Sequence, residues 1–183
     1  MIRYIALLRG VNVGGNNKLA MPALKAAFER QGFQNVITYI NSGNIIFDSD
    51  LTESDVKSAC EDLIEASFGL KIAVGIITAD ELSDALAHAP AWWDADAESK
   101  HNAIFVIPPA TVQDVCAQIG DIKPEYEKIF YFNKIIFWSA PVATFSRTRL
   151  TTIVKDKTVY NAVTIRNANT AKKLAELASG KGK

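Results

Sequence analysis

What most constrains this chain is an order of short apolar runs and helix-period segments, β-α-β-β-α-β, that occurs twice. Residues 2–9 are a short apolar run that ends in a glycine-rich loop, which predicts a buried strand. A helix follows, with Pro22 in its first turn, where a missing N–H costs nothing, and with Leu24, Ala27 and Phe28 on one face. Gly32 is placed to end it. Residues 36–41 and 44–48 read as two strands around the turn signal Asn41-Ser42-Gly43-Asn44. Thr52-x-x-Asp55 resembles a capping box with Asp in place of Glu. The helix it opens carries Val56, Ala59, Cys60, Leu63 and Ile64 at helical spacing. Residues 72–78 are the closing strand.

The pattern then starts again. Residues 80–88 form a linking helix, and 89–100 a polar loop with Trp92 and Trp93. Residues 102–107 are a strand stopped by Pro108-Pro109, and 111–119 a helix. Two strands, 125–132 and 134–139, flank Asn133. The spacing predicts a helix over 145–154, a strand over 162–166 and a final helix over 170–178 closed by Gly180. The expectation is an α+β fold: duplicated βαββαβ ferredoxin-like units with antiparallel sheets and an extra C-terminal helix, split as 1–78 and 79–183. In such a sheet the first and third strands are neighbours. The loop at 9–15 and the turn at 42–44 should therefore converge, and Arg166 and Asn167 should lie near the start of the segment holding Ser146 and Arg147.

Composition removes several classes. With 183 residues, 49% apolar and 22% charged, the chain can bury a core and is not a disordered segment. It has no apolar stretch of about eighteen residues, so no spanning helix is expected. Its first residues lack the parts of a secretion signal. Cys60 and Cys116 lie on apolar helix faces without a C-x-x-C, so buried reduced thiols in a cytoplasmic protein are expected, with neither a zinc site nor a redox pair. Net charge is zero but uneven. From position 144 onward nine Lys or Arg face two acids, whereas 1–143 hold eleven basic and eighteen acidic residues. That asymmetry fits an anionic partner for the C-terminal part, or attraction between the two parts.

Three segments are candidates for chemistry. Gly10-x-x-x-Gly14-Gly15, between a strand and a helix, sits where phosphate-binding loops sit, with Arg9 just before it and Asn12 within it. It is neither a P-loop, since Asn16-Asn17-Lys18 replaces the Gly-Lys-Ser/Thr ending, nor a G-x-G-x-x-G. A tight turn that needs positive φ is the plainer alternative. The hairpin turn with Ser42 and Asn44 is the second candidate, and turn chemistry alone accounts for it equally. The third runs Thr164-Ile-Arg166-Asn167-Ala-Asn169-Thr170 from strand into helix. Either Asn167 or Asn169 can cap that helix, and Arg166, with Arg147 from Ser146-Arg147-Thr148-Arg149, can meet an anion. Asp94-x-Asp96-x-Glu98-x-x-His101 lacks the glycine and last glutamate of a calcium loop and reads as solvated, so no metal is expected. His88 and His101 have no nucleophile spacing beside them, and no catalytic motif or cofactor signature is present. Tyr126, Phe130, Tyr131, Phe132, Phe137 and Trp138 lie on a hairpin where RNA-binding sheets stack bases. The RNP1 pattern is missing, and core packing is the plainer use of these rings.

Four segments together resemble one known family: Leu7-Leu8-Arg9-Gly10-Val11-Asn12-Val13-Gly14-Gly15, Tyr39-Ile-Asn-Ser42-Gly43-Asn44-Ile-Ile-Phe47, residues 146–150, and Thr164-Ile-Arg166-Asn167-Ala168-Asn169-Thr170 with Lys173-Leu174. The chain is similar to bacterial proteins with the domain of unknown function 1697, although that family typically has Trp where Ala168 stands. The resemblance implies a two-part α/β fold of ferredoxin-like units, a bacterial cytoplasmic setting and no assigned reaction.

The expected function is binding of a phosphate-bearing ligand, a nucleotide or RNA, in a polar cleft between the two ferredoxin-like halves. Arg9, Asn12, Gly14, Gly15, Ser42 and Asn44 would form one wall, and Arg147, Arg166, Asn167 and Asn169 the other. One alternative is an enzyme of phosphoryl or nucleotide chemistry that recruits Asp48 or Tyr39 as base. Another is a protein or RNA interaction module acting through the basic C-terminal part. No membrane partner is expected, and the sequence sets no oligomeric state.

Overall fold

The computed structural model describes residues 1–153 and 156–180. Val154 and Lys155, and Lys181 and Lys183 of the basic C-terminal count, lie outside the described residues. The chain divides into two compact units, Met1–Ser83 with the chain from Lys173 onward, and Asp84–Lys172.

The first unit runs β1 (Ile2–Leu8), α1 (Met21–Arg30), β2 (Gln34–Tyr39), β3 (Asn44–Ser49), α2 (Glu53–Phe68) and β4 (Val74–Thr78). Its sheet has the order β2-β3-β1-β4, with each neighbouring pair antiparallel. Each helical crossover thus skips one place, which a later or earlier strand fills; this is the split βαβ arrangement. Helix α2 starts where Thr52 Oγ1 accepts the Asp55 amide at 3.3 Å, and ends at Gly69, whose φ of 66° suits a residue without Cβ. The helix-side core joins Tyr4, Ala6 and Leu8 to Leu24, Phe28, Val56, Cys60 and Ile64. Within it the Phe33 and Phe47 rings lie 4.5 Å apart and both meet Phe28 at 5.4 Å. Ile5, Leu7 and Ile46, on the opposite face, are also fully buried. That is why β1 and β3 read as continuous apolar runs rather than alternating ones.

The second unit repeats the plan with β5 (Ser99–Val106), α4 (Val112–Ile119), β6 (Lys128–Phe132), β7 (Ile135–Pro141) and β8 (Val163–Asn167), in sheet order β6-β7-β5-β8. Two further helices, α3 (Ala79–Ala87) and α7 (Ala168–Ala178), begin in one unit and end in the other. The α+β class and the duplication are as expected.

The helix expected over 145–154 is not continuous. A 3₁₀ turn (Val142–Arg147), α5 (Leu150–Ile153) and α6 (Lys157–Asn161) replace it. The break falls at Thr148, which is extended at φ −72° and ψ 158°. Its hydroxyl donates to the Phe145 carbonyl at 2.8 Å, a side-chain bond that competes with the helical ladder. Among the described residues no helix is long and apolar enough to cross a membrane.

Candidate functional site

The expected convergence in the first unit is present. Leu8 N donates to Gly43 O at 2.8 Å, so the end of β1 lies against the β2–β3 turn. Gly43 has no substitute there: a Cβ would stand 2.7 Å from Leu8 Cβ, on a backbone with φ of 74°. Asn12 ties the glycine loop to the same turn. Its Nδ2 donates to Leu19 O at 2.8 Å and Asn41 O at 2.7 Å, and its Oδ1 accepts from Leu19 N at 2.8 Å. Asn17 Nδ2 closes the loop on Gly10 O at 3.1 Å. Gly14 and Gly15, both left-handed at φ 58° and 80°, are exposed at the apex, with nothing within 4 Å of where a Cβ would be.

The predicted residues of this unit therefore divide by job. Asn12 holds the loop. Asn44 is fully buried and donates to Tyr39 O and Ser42 Oγ, each at 3.0 Å, so it holds the turn. Arg9 and Ser42 are half-buried at the loop's root, and the glycine apex faces solvent. Asp48 lies at the other end of β3. There it pairs with Arg3 at 3.0 Å and accepts from Asn35 Nδ2 at 2.7 Å, away from the glycine loop.

In the second unit Asn167 is the residue that caps α7: its Oδ1 accepts from Thr170 N at 2.8 Å, and Asn169 is exposed beside it. Arg166 is buried, with Nη1 donating to Thr164 Oγ1 at 2.8 Å and Ile165 O at 2.9 Å. Burial lowers its guanidinium to about 10, so it stays charged at neutral pH. Arg147 is exposed and directs its guanidinium over the Tyr126 ring at 5.6 Å, on the side where β6 begins. Arg166 and Asn167 lie on β8, the opposite edge strand. The break at Thr148 ends the turn that carries Arg147.

A family model described as protein of unknown function (DUF1697) matches residues 1–137. The chain belongs to the DUF1697 family. A solved structure similar to it is that of the conserved bacterial protein SP0830 from Streptococcus pneumoniae. It is 28% identical, with 97% of this chain and 98% of that one covered and a TM-score of 0.87. No curated protein matches the chain.

Two arrangements in this DUF1697 chain escape sequence reasoning. Glu127 is buried, and its carboxylate accepts from Lys123 N (3.1 Å), Arg149 N (2.8 Å), Trp138 Nε1 (2.9 Å) and Leu150 N (3.4 Å). It joins the approach to β6, the core tryptophan of β7 and the start of α5. The one signal for it was the need of a buried indole N–H for an acceptor. His101 is also buried, opposite Ser139 in the β5–β7 register. Its Nε2 lies 2.9 Å from Asp96 O, which can only accept, so Nε2 carries the hydrogen and Nδ1 accepts from the Ser139 hydroxyl at 2.6 Å. Asp96 folds its loop by accepting from Glu98 N at 3.0 Å and Ser99 N at 2.7 Å, and hydrogen bonding from Ser99 holds its carboxyl below the usual range. Among the described residues no His, Cys, Asp and Glu cluster is arranged for a metal. The Cys60 thiol is pushed up by burial and then by Glu61, and Cys116 is raised by burial, so both stay protonated at neutral pH.

Next to His101 an open pocket of about 730 Å³ lies wholly within the second unit, between the 94–102 segment and the start of α7. The hairpin rings divide: Phe137 and Trp138 are buried, whereas Phe130 and Tyr131 are exposed.

Proposed function

We propose that this protein is a cytoplasmic binder of a phosphate-bearing ligand, a nucleotide or RNA end, with the glycine loop after β1 as its anion-holding element. The observation that carries the reading is the exposed apex at Gly14 and Gly15, whose backbone is open to solvent with nothing within 4 Å of where a Cβ would stand. Residues 9–20 contain Arg9 and Lys18 and no acid, so the local potential is positive. The Asn12 clamp supports it by fixing the loop before a ligand arrives, which lowers the ordering cost of binding. In the second unit Arg166 keeps its charge and Arg147 is exposed, and both add to the positive C-terminal part. Free Cys60 and Cys116 accord with a reducing compartment. The enzyme alternative loses Asp48 as a base for this loop, because that carboxylate is engaged at the far end of β3.

The test is a panel of inorganic phosphate, nucleotides, sugar phosphates and short RNA at low and moderate salt, read by melting temperature and by the Gly14 and Gly15 amide signals in NMR. A ligand should raise the melting temperature and move both signals saturably. Lys18→Ala should weaken binding by about threefold to tenfold, more at low salt. If no compound moves either glycine signal at either salt, the reading is wrong.

A further inference from the structure

The pocket of the second unit contains charged residues, but each has an internal partner. Asp94 is paired with Lys172. The Asp96 carboxylate accepts the Glu98 and Ser99 amides. Lys100 places Nζ over the Phe145 ring, 3.9 Å from its centroid. Both ring nitrogens of His101 are engaged.

Three carboxamides remain on the wall. Asn102, half-buried, and Asn169, exposed, have no side-chain hydrogen-bond partner among the described residues. Asn167 uses only its oxygen, in the α7 cap, which leaves its NH₂ group available. A carboxamide presents a donor and an acceptor side by side, and its complement is a planar edge with the reverse pair. The base of a nucleoside carries such edges, and asparagine reads them with two hydrogen bonds at once.

We infer that this pocket is a nucleoside site, in which Asn102 and Asn169 bond the edge of the base and the Asn167 amide adds a further donor. About 730 Å³ is room for such a molecule. A free sugar would call on open carboxylates, and those here are occupied. An isolated phosphate would find the nearby cations already engaged, Lys172 by Asp94 and Lys100 by the Phe145 ring. The inference is independent of the glycine loop, since every lining residue belongs to the second unit.

The experiment titrates the full-length, ¹⁵N-labelled protein with adenosine, guanosine, cytidine and uridine, none of which carries a phosphate. At least one should move the Asn102 and Asn169 side-chain NH₂ signals saturably. Asn102→Ala and Asn169→Ala should each weaken that binding about tenfold, the effect of losing one bidentate contact. The Asn102 carbonyl that accepts from Trp93 Nε1 at 2.9 Å belongs to the backbone, so both variants should keep the wild-type melting temperature. Should no nucleoside move those signals at millimolar concentration, or should binding survive both substitutions, the site is not a nucleoside site. Inorganic phosphate, followed at Gly14 and Gly15 in the same spectra, tests the loop separately, so each reading can fail alone.

Discussion

The two units place different loops at the same point of one topology. Between the first strand and first helix, the first unit has residues 9–20, whereas the second has 107–111. The long loop turns through left-handed Gly10, Asn12, Gly14, Gly15 and Asn17 and shows its apex to solvent. The short one contains Pro108 and Pro109, which have no N–H to offer, and ends in the Thr111–Asp114 capping box. The second crossover differs the other way. The first unit crosses with one helix of 16 residues, and the second with a 3₁₀ turn and two short helices tied at Thr148 and Glu127. Duplication thus preserves the sheet order and leaves the crossovers to diverge, one toward exposed peptide groups and one toward a buried carboxylate.

Removing that carboxylate should give the largest effect. Glu127→Ala leaves a buried indole N–H and several amides without their acceptor, and should cost more than about 3 kcal/mol in urea unfolding. Hydrogen exchange should speed up in β5–β8 before β1–β4. Uniform loss across both sheets would mean that the units do not differ in this respect. A contrast within the first unit comes next. Gly43→Ala meets Leu8 at 2.7 Å and should cost about 2–3 kcal/mol, whereas Gly15→Ala meets nothing and should cost about 1 kcal/mol of backbone strain. Equal losses would show that the turn yields and that close approach is not what demands glycine at 43.

The smallest effect concerns the second unit's cap. Thr111 donates to the Asp114 carboxylate at 2.6 Å and holds it below its ordinary value. A lowered folded value means stability that is present above the unfolded value of about 3.9 and lost as pH falls through the folded one. Asp114→Asn should therefore flatten the fall in melting temperature as the pH drops below about 5. An unchanged acid limb would assign that fall to other carboxylates.

What could be read from the residues was what depends on near neighbours. Apolar spacing located β1, β3 and α2, the Thr52 cap marked the start of α2, and the β-α-β-β-α-β order carried the duplication. The loop-to-turn meeting at Leu8 and Gly43 followed from strand order alone. What escaped depends on partners far along the chain. Asn12 looked available for a ligand because Asn41 O, 29 residues on, is not a local neighbour. His101 looked solitary because Ser139, 38 residues away, reaches it only through the β5–β7 register. The helix over 145–154 failed because Thr148 found the Phe145 carbonyl and Glu127, 22 residues before Arg149, took the next amide.

The Asn12 clamp also bears on timing. With one carboxamide bound to Leu19 and to the Asn41 carbonyl, the base of the loop is held at three points in the absence of any ligand. If the loop binds an anion as proposed, encounter would be governed by diffusion and charge, and differences in affinity would lie mostly in the escape rate. Through that single side chain, residence time would become the quantity that substitutions around the loop tune.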